Sequence, residues 1–132
     1  MKTILVVEDY SYARNFICEK LQSKGYQTVD AASVSEAYDV LSRETQAISL
    51  VLSDVDMPNS NGFDLLRTIK NDPALENIPF VFWTSESDTD KVRFANEVGL
   101  ATFIQKPFRE EKFFNEIDRA INIKGSMINL VD

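Results

Sequence analysis

The chain has 132 residues, 44% hydrophobic and 27% charged, with four glycines and four prolines; that is enough apolar material for one sizeable core and too little glycine and proline for a collagen-like or disordered chain. A formal net charge of −7 opposes general attraction to nucleic-acid backbones or anionic lipid, because binding either relies on Lys and Arg displacing counterions. Histidine is absent and Cys18 is the single cysteine, which excludes Ser-His-Asp and Cys-His catalysis, histidine-ligated metal sites and an internal disulfide.

In chain order, Thr3 to Val7 reads as a buried strand, far too short to span a bilayer. No basic segment leads into an apolar stretch with a cleavage site, so a cytoplasmic location is expected. Ala13, Phe16, Ile17 and Leu21 then share one face of a first helix, which Gly25 ends. Gln27 to Ala31 is more polar and suits an edge strand. Ser33 is placed to cap a second helix whose inward face carries Val34, Ala37, Tyr38 and Leu41. Ile48 to Ser53 is a third strand, and Pro58 and Gly62 fall in the connection to a third helix. Phe80 to Trp83 is the fourth strand; Asp88 or Thr89 caps a fourth helix, and Gly99 separates that helix from the fifth strand, Ala101 to Gln105. A last helix presents Phe113, Phe114, Ile117 and Ile121, and Gly125 is expected to follow it, leaving residues 124–132 as a tail or the start of a linker after one domain over 1–123.

Five alternations of strand and helix predict an α/β fold: a doubly wound parallel sheet with helices on both faces and right-handed crossovers. In such sheets ligands bind beyond the carboxyl ends of the strands. Glu8 and Asp9 follow the first strand, Asp54 and Asp56 the third, Thr84 and Ser85 the fourth, and Lys106 with Pro107 the fifth. A single carboxylate after a strand is an ordinary loop residue; the joint placement is the signal. Clustered carboxylates repel one another unless a cation intervenes, and an oxygen-only set suits Mg²⁺, which favours sites that also hold phosphate. Lys106 offers a positive charge, and Thr84 or Ser85 a donor, for phosphoryl oxygens, so the set reads as a phosphoryl-transfer site.

The segments ILVVEDY, LVLSDVDMPNSNGFDLL, IPFVFWTSES and ATFIQKPF, in that order and at these separations, make the chain resemble response-regulator receiver domains, including the stand-alone chemotaxis type, over about residues 2 to 122. The resemblance implies a flavodoxin-like (βα)5 fold with strand order 2-1-3-4-5, an order the alternation alone does not fix. It also implies roles. Asp54 would be the phosphoacceptor; Asp9 and Asp54 would hold Mg²⁺ with the main-chain carbonyl of Asp56, and Glu8 would act through metal-bound water. Lys106 would pair with Asp54 or its phosphoryl group, across a Lys106–Pro107 peptide that is often cis in the family. Thr84 would swing toward the phosphoryl group, and Phe103 would be the aromatic switch. Their motions would remodel the surface of the fourth helix, fifth strand and fifth helix, which a downstream protein reads. Glu8 stands where Asp is common in the family, and Phe103 where Tyr often is; Asp56 and Glu86 would flank the entrance.

With no histidine in the chain, the phosphohistidine donor would be a separate sensor histidine kinase or histidine phosphotransfer protein. The chain would catalyse only its own phosphorylation and dephosphorylation. A homodimer through the fourth-helix surface is left open. Two other readings compete. A degenerate receiver would bind partners without phosphorylation, although here every chemical position is filled. An aspartyl-nucleophile phosphohydrolase would use Asp54-Val55-Asp56, but such enzymes place this motif after the first strand and rarely put a proline where Pro58 stands.

Overall fold

The computed structural model describes residues 2–44, 48–57 and 60–131, with all side chains in them except those of Glu44, Ser60, Glu86 and residues 123–131. Pro58 lies outside the described residues, as do the side chains of the expected tail. Strands β1 (Thr3–Val7), β2 (Gln27–Ala31), β3 (Ile48–Asp54), β4 (Phe80–Thr84) and β5 (Thr102–Gln105) alternate with helices α1 (Ser11–Ser23), α2 (Val34–Glu44), α3 (Gly62–Lys70), α4 (Thr89–Glu97) and α5 (Glu110–Val131). All strand pairs in the sheet are parallel, in the order β2-β1-β3-β4-β5, which is the flavodoxin-like order. A two-residue antiparallel ladder, Asp56–Met57 against Ser60–Asn61, lies between β3 and α3.

Side-chain alternation along the strands divides the interior in two. Ile4, Val6, Leu50, Leu52, Val81 and Trp83 pack with Ile17 and Leu21 of α1 and Phe113 and Ile117 of α5. Leu5, Val7, Val51, Phe80 and Phe82 face the other way, onto Leu41 of α2, Leu65 and Ile69 of α3 and Val92 of α4. The central strands β1 and β4 are buried along their whole length, whereas β2, with its polar residues, is largely accessible, as its edge position requires.

The helix ends follow local chemistry. Gly25 (φ +93°) and Gly99 (φ +80°) take left-handed backbone after α1 and α4. In each case the next amide reaches back to the helix, Tyr26 to the Leu21 carbonyl and Leu100 to the Ala95 carbonyl, closing a Schellman turn that favours glycine. Ser33 accepts from the Glu36 amide at 3.1 Å, while the Glu36 carboxylate accepts from the Ala32 amide at 3.2 Å. Asp88, an expected cap of α4, makes no side-chain cap bond; its carboxylate is taken by Ser85 and Lys91 instead. Asn61 caps α3 by accepting from the Asp64 amide.

Three further expectations are corrected. Phe16 is 37% exposed because it leans edge-on against Phe108, with ring centroids 5.3 Å apart, rather than toward the sheet. Tyr38 is 41% exposed, at the flank of α2 rather than on its buried face. The backbone of α5 runs helically through Gly125 to Val131; one glycine inside a helix costs only about 1 kcal/mol, too little to force a stop.

Candidate functional site

Parallel strands present all their carboxyl ends at one edge, and the register decides which residues become neighbours there. Val7 pairs with Ser53 and Asp54 with Trp83, while Thr84 pairs with Gln105. The residues that follow β1 and end β3 are therefore side by side, and those that follow β5 lie two strands further along, past the end of β4. Carboxylate oxygens of Glu8, Asp9 and Asp54 lie within 4.8 Å of one another. Lys106 reaches in from the far side, its Nζ 3.4 Å from Asp54 Oδ1 and 3.9 Å from Glu8 Oε1, and 5.9 Å from the centre of the Trp83 ring. The Lys106–Pro107 peptide is cis, and the Lys106 amide donates to the Thr84 carbonyl at 2.7 Å, joining the ends of β4 and β5.

Asp54 is held from three sides. Its Oδ1 accepts from the Val55 amide at 2.9 Å, and its main-chain carbonyl accepts from the buried Ser53 hydroxyl at 2.8 Å. Gly62 closes the loop from Asp54 by donating its amide to the Val55 carbonyl. A Cβ at Gly62 would stand 2.4 Å from the Asp54 carbonyl oxygen, so the loop can approach α3 this closely only with glycine there.

The cluster carries more negative charge than its single lysine offsets. Glu8 is 5% exposed. Burial above all, then the charge of Asp54 and the hydrogen bond with Asp9, pushes its carboxyl from 4.5 up to about 7; Lys106 and the Tyr10 amide pull it back only in part. Three mutually close, oxygen-only donors with unneutralised charge are a set that a hard divalent cation fits.

The side chains of the remaining expected residues have partners outside the carboxylate cluster. Thr84 is fully buried at the end of β4, and its hydroxyl donates to the Ser85 carbonyl. Phe103, on β5, is partly buried and packs against the core on the α2–α4 side. The Asp56 carboxylate turns outward to Lys91 of α4, 3.5 Å away. The side chain of Glu86 lies outside the described residues. Arg14, which belongs to none of the sequence motifs, donates from its guanidinium to the Glu8 carbonyl at 2.8 Å and the Asp9 carbonyl at 3.4 Å while pairing with Asp30 at 2.9 Å. A cation in the opening turns of a helix opposes the macrodipole, and that misfit was the available signal of a specific partner. Ser53 and Asn61 fall within a motif but carry no role expected from the sequence.

The flavodoxin-like sheet thus carries an acidic pocket and a lysine together at its carboxyl edge. The family profile described as the response regulator receiver domain matches residues 4–118, and the chain belongs to that family, the receiver domains of two-component signalling. It is 32% identical over 117 residues to the CAI-1 autoinducer sensor kinase/phosphatase CqsS of Vibrio cholerae, covering 88% of this chain but only 17% of that protein. It is 31% identical over 118 residues to the two-component response regulator ORR3 of Oryza sativa subsp. indica, covering 89% of each. A crystal structure of a response regulator receiver domain protein from Clostridium thermocellum superposes with a TM-score of 0.87 at 27% identity, over 96% of this chain and 99% of that one. Receiver domains are in general signalling modules rather than enzymes. Among the described residues no helix is long and apolar enough to cross a membrane.

Proposed function

We propose that this chain is a Mg²⁺-dependent phosphorylation switch in which Asp54 accepts a phosphoryl group from a phosphohistidine on a sensor histidine kinase or histidine phosphotransfer protein in the cytoplasm. The observation that carries the reading is the position of the Asp54 carboxylate, 3.4 Å from Lys106 on one side and within the Glu8–Asp9–Asp54 cluster on the other. Asp9, Asp54 and the main-chain carbonyl of Asp56 would hold the ion, with Glu8 acting through its water shell. Bound there, Mg²⁺ supplies positive charge against the carboxylates and the incoming phosphoryl oxygens.

The chain's own residues perform the transfer. An Asp54 carboxylate oxygen attacks phosphorus in line; the P–N bond to the donor imidazole breaks as the O–P bond forms, and the electron pair leaves with the imidazole. Lys106 offsets charge on a phosphoryl oxygen, and the Val55 amide keeps Asp54 Oδ1 oriented so that the other oxygen is free to attack. Thr84 then exchanges its bond to the Ser85 carbonyl for one to the phosphoryl group, and the shift passes to Phe103 and the α4–β5–α5 surface that a downstream protein reads. Incubation with acetyl phosphate and Mg²⁺ followed by intact-mass measurement tests the assignment: the wild-type chain gains one phosphoryl group and Asp54→Ala gains none. Undiminished labelling of Asp54→Ala would remove Asp54 from the mechanism.

A further inference from the structure

Arg14 sits at the opening of α1 with a side chain only 17% exposed, and its fork spans two elements. One face binds the main-chain carbonyls of Glu8 and Asp9; Nε pairs with Asp30 Oδ2 on β2 at 2.9 Å. Lysine could not make this contact set, since it has one nitrogen where guanidinium has a planar array of donors. The Glu8 amide in turn donates to the Ala31 carbonyl, so the turn carrying the acidic pair is fixed to β2 at two points.

The choice of carbonyl acceptors matters. A guanidinium bonded to the carboxylates themselves would neutralise them and compete with a cation. Bonded behind them, Arg14 fixes the turn without occupying the carboxylate oxygens. Its charge is balanced by Asp30, so the clamp adds little net positive potential beside the cluster. From this geometry we infer that Arg14, anchored by Asp30, is a positioning residue that sets the affinity and the Mg²⁺-over-Ca²⁺ preference of the Glu8–Asp9–Asp54 cluster. The inference rests on the reading of that cluster as a divalent-cation site. Mg²⁺ demands near-ideal octahedral geometry whereas Ca²⁺ tolerates irregular ligands, so loosening the turn penalises Mg²⁺ more than Ca²⁺.

The test is titration of the full chain with MgCl₂ and, separately, CaCl₂ at fixed ionic strength, read by Trp83 fluorescence, with urea midpoints measured alongside. Arg14→Met is expected to raise the Mg²⁺ Kd about tenfold, the lower end of what loss of a group orienting metal ligands costs, and the Ca²⁺ Kd by clearly less. Arg14→Lys should fall close to Arg14→Met despite its charge. Asp30→Asn keeps the guanidinium but removes its anchor, and is expected to move the Mg²⁺/Ca²⁺ ratio the same way; it carries the test if Arg14→Met does not fold. Equal Kd ratios in wild type and variants, with only the urea midpoint lowered, overturn the inference and leave Arg14 a stabilising residue. A wild-type chain that binds neither ion overturns the cation-site reading itself, and the inference with it.

Discussion

Glu8 offers a direct measure of the strain in the acidic cluster. Its carboxyl holds a proton up to about pH 7 in the folded chain against an ordinary value of 4.5, so between those values the folded state binds more protons than the unfolded one. Stability contributed by this group is therefore fully present below about pH 4.5 and is lost as pH rises through 7, the reverse of a salt-bridged carboxylate. At 1.36 kcal/mol per pH unit, the interval corresponds to a loss on the order of 3 kcal/mol. Urea unfolding in the presence of a chelator, at pH 4.5, 6 and 8, measures it when Glu8→Gln is run beside the wild type, because the amide fills the same space and does not titrate. The variant should be close to wild type at pH 4.5 and more stable by about 2–3 kcal/mol at pH 8, with an unchanged m-value. Saturating Mg²⁺ should shrink that gap by favouring the ionised glutamate. A stability difference that stays constant across the three pH values would show that burial and Asp54 do not hold the Glu8 proton, and would refute the argument.

Gly62→Ala places a methyl 2.4 Å from the Asp54 carbonyl oxygen and 2.8 Å from Phe82 Cε1; since backbone must give way, thermal or urea unfolding should record a loss of at least about 1–3 kcal/mol. Lys106→Met removes the cation beside Asp54 and Glu8 without removing a proposed metal ligand. Mg²⁺ titration should give an unchanged or tighter Kd, while phosphorylation by acetyl phosphate, followed by mass, slows by on the order of 100-fold.

The sequence reading succeeded where strand geometry alone determines the neighbours. Glu8, Asp54, Thr84 and Lys106 each fall at a strand end, and a parallel sheet must bring such ends to one edge; the strand order, and with it which of those ends become neighbours, required the family resemblance. The polar composition of Gln27 to Ala31 likewise revealed an edge strand. The reading failed where a side chain's partner comes from a different element. Phe16 has the spacing of a core residue, yet Phe108 of the β5–α5 connection draws it outward. Asp88 has the chemistry of a cap, yet Ser85 and Lys91 claim it. Arg14 looks like an ordinary helix residue until the neighbouring β2 supplies Asp30 and the turn after β1 supplies two carbonyls.

The contacts of Arg14 and the pH behaviour of Glu8 meet at one place, the turn after β1. A strand end at the sheet edge would be most stable if apolar, and Glu8 stands there almost fully buried beside two other carboxylates. Replacing it by glutamine should stabilise the metal-free chain, so the fold alone does not account for its charge. The surrounding groups resist collapse of the cluster: Arg14 holds the turn from behind, Ser53 and Val55 hold Asp54, and Lys106 approaches without closing a short contact to Glu8. A local arrangement that costs stability, yet is fixed by bonds from three elements, is the pattern expected where selection acts on binding at the expense of the fold. Under that reading the same substitution must act in opposite directions: Glu8→Gln raises the urea midpoint of the metal-free chain at pH 8 and weakens its response to Mg²⁺.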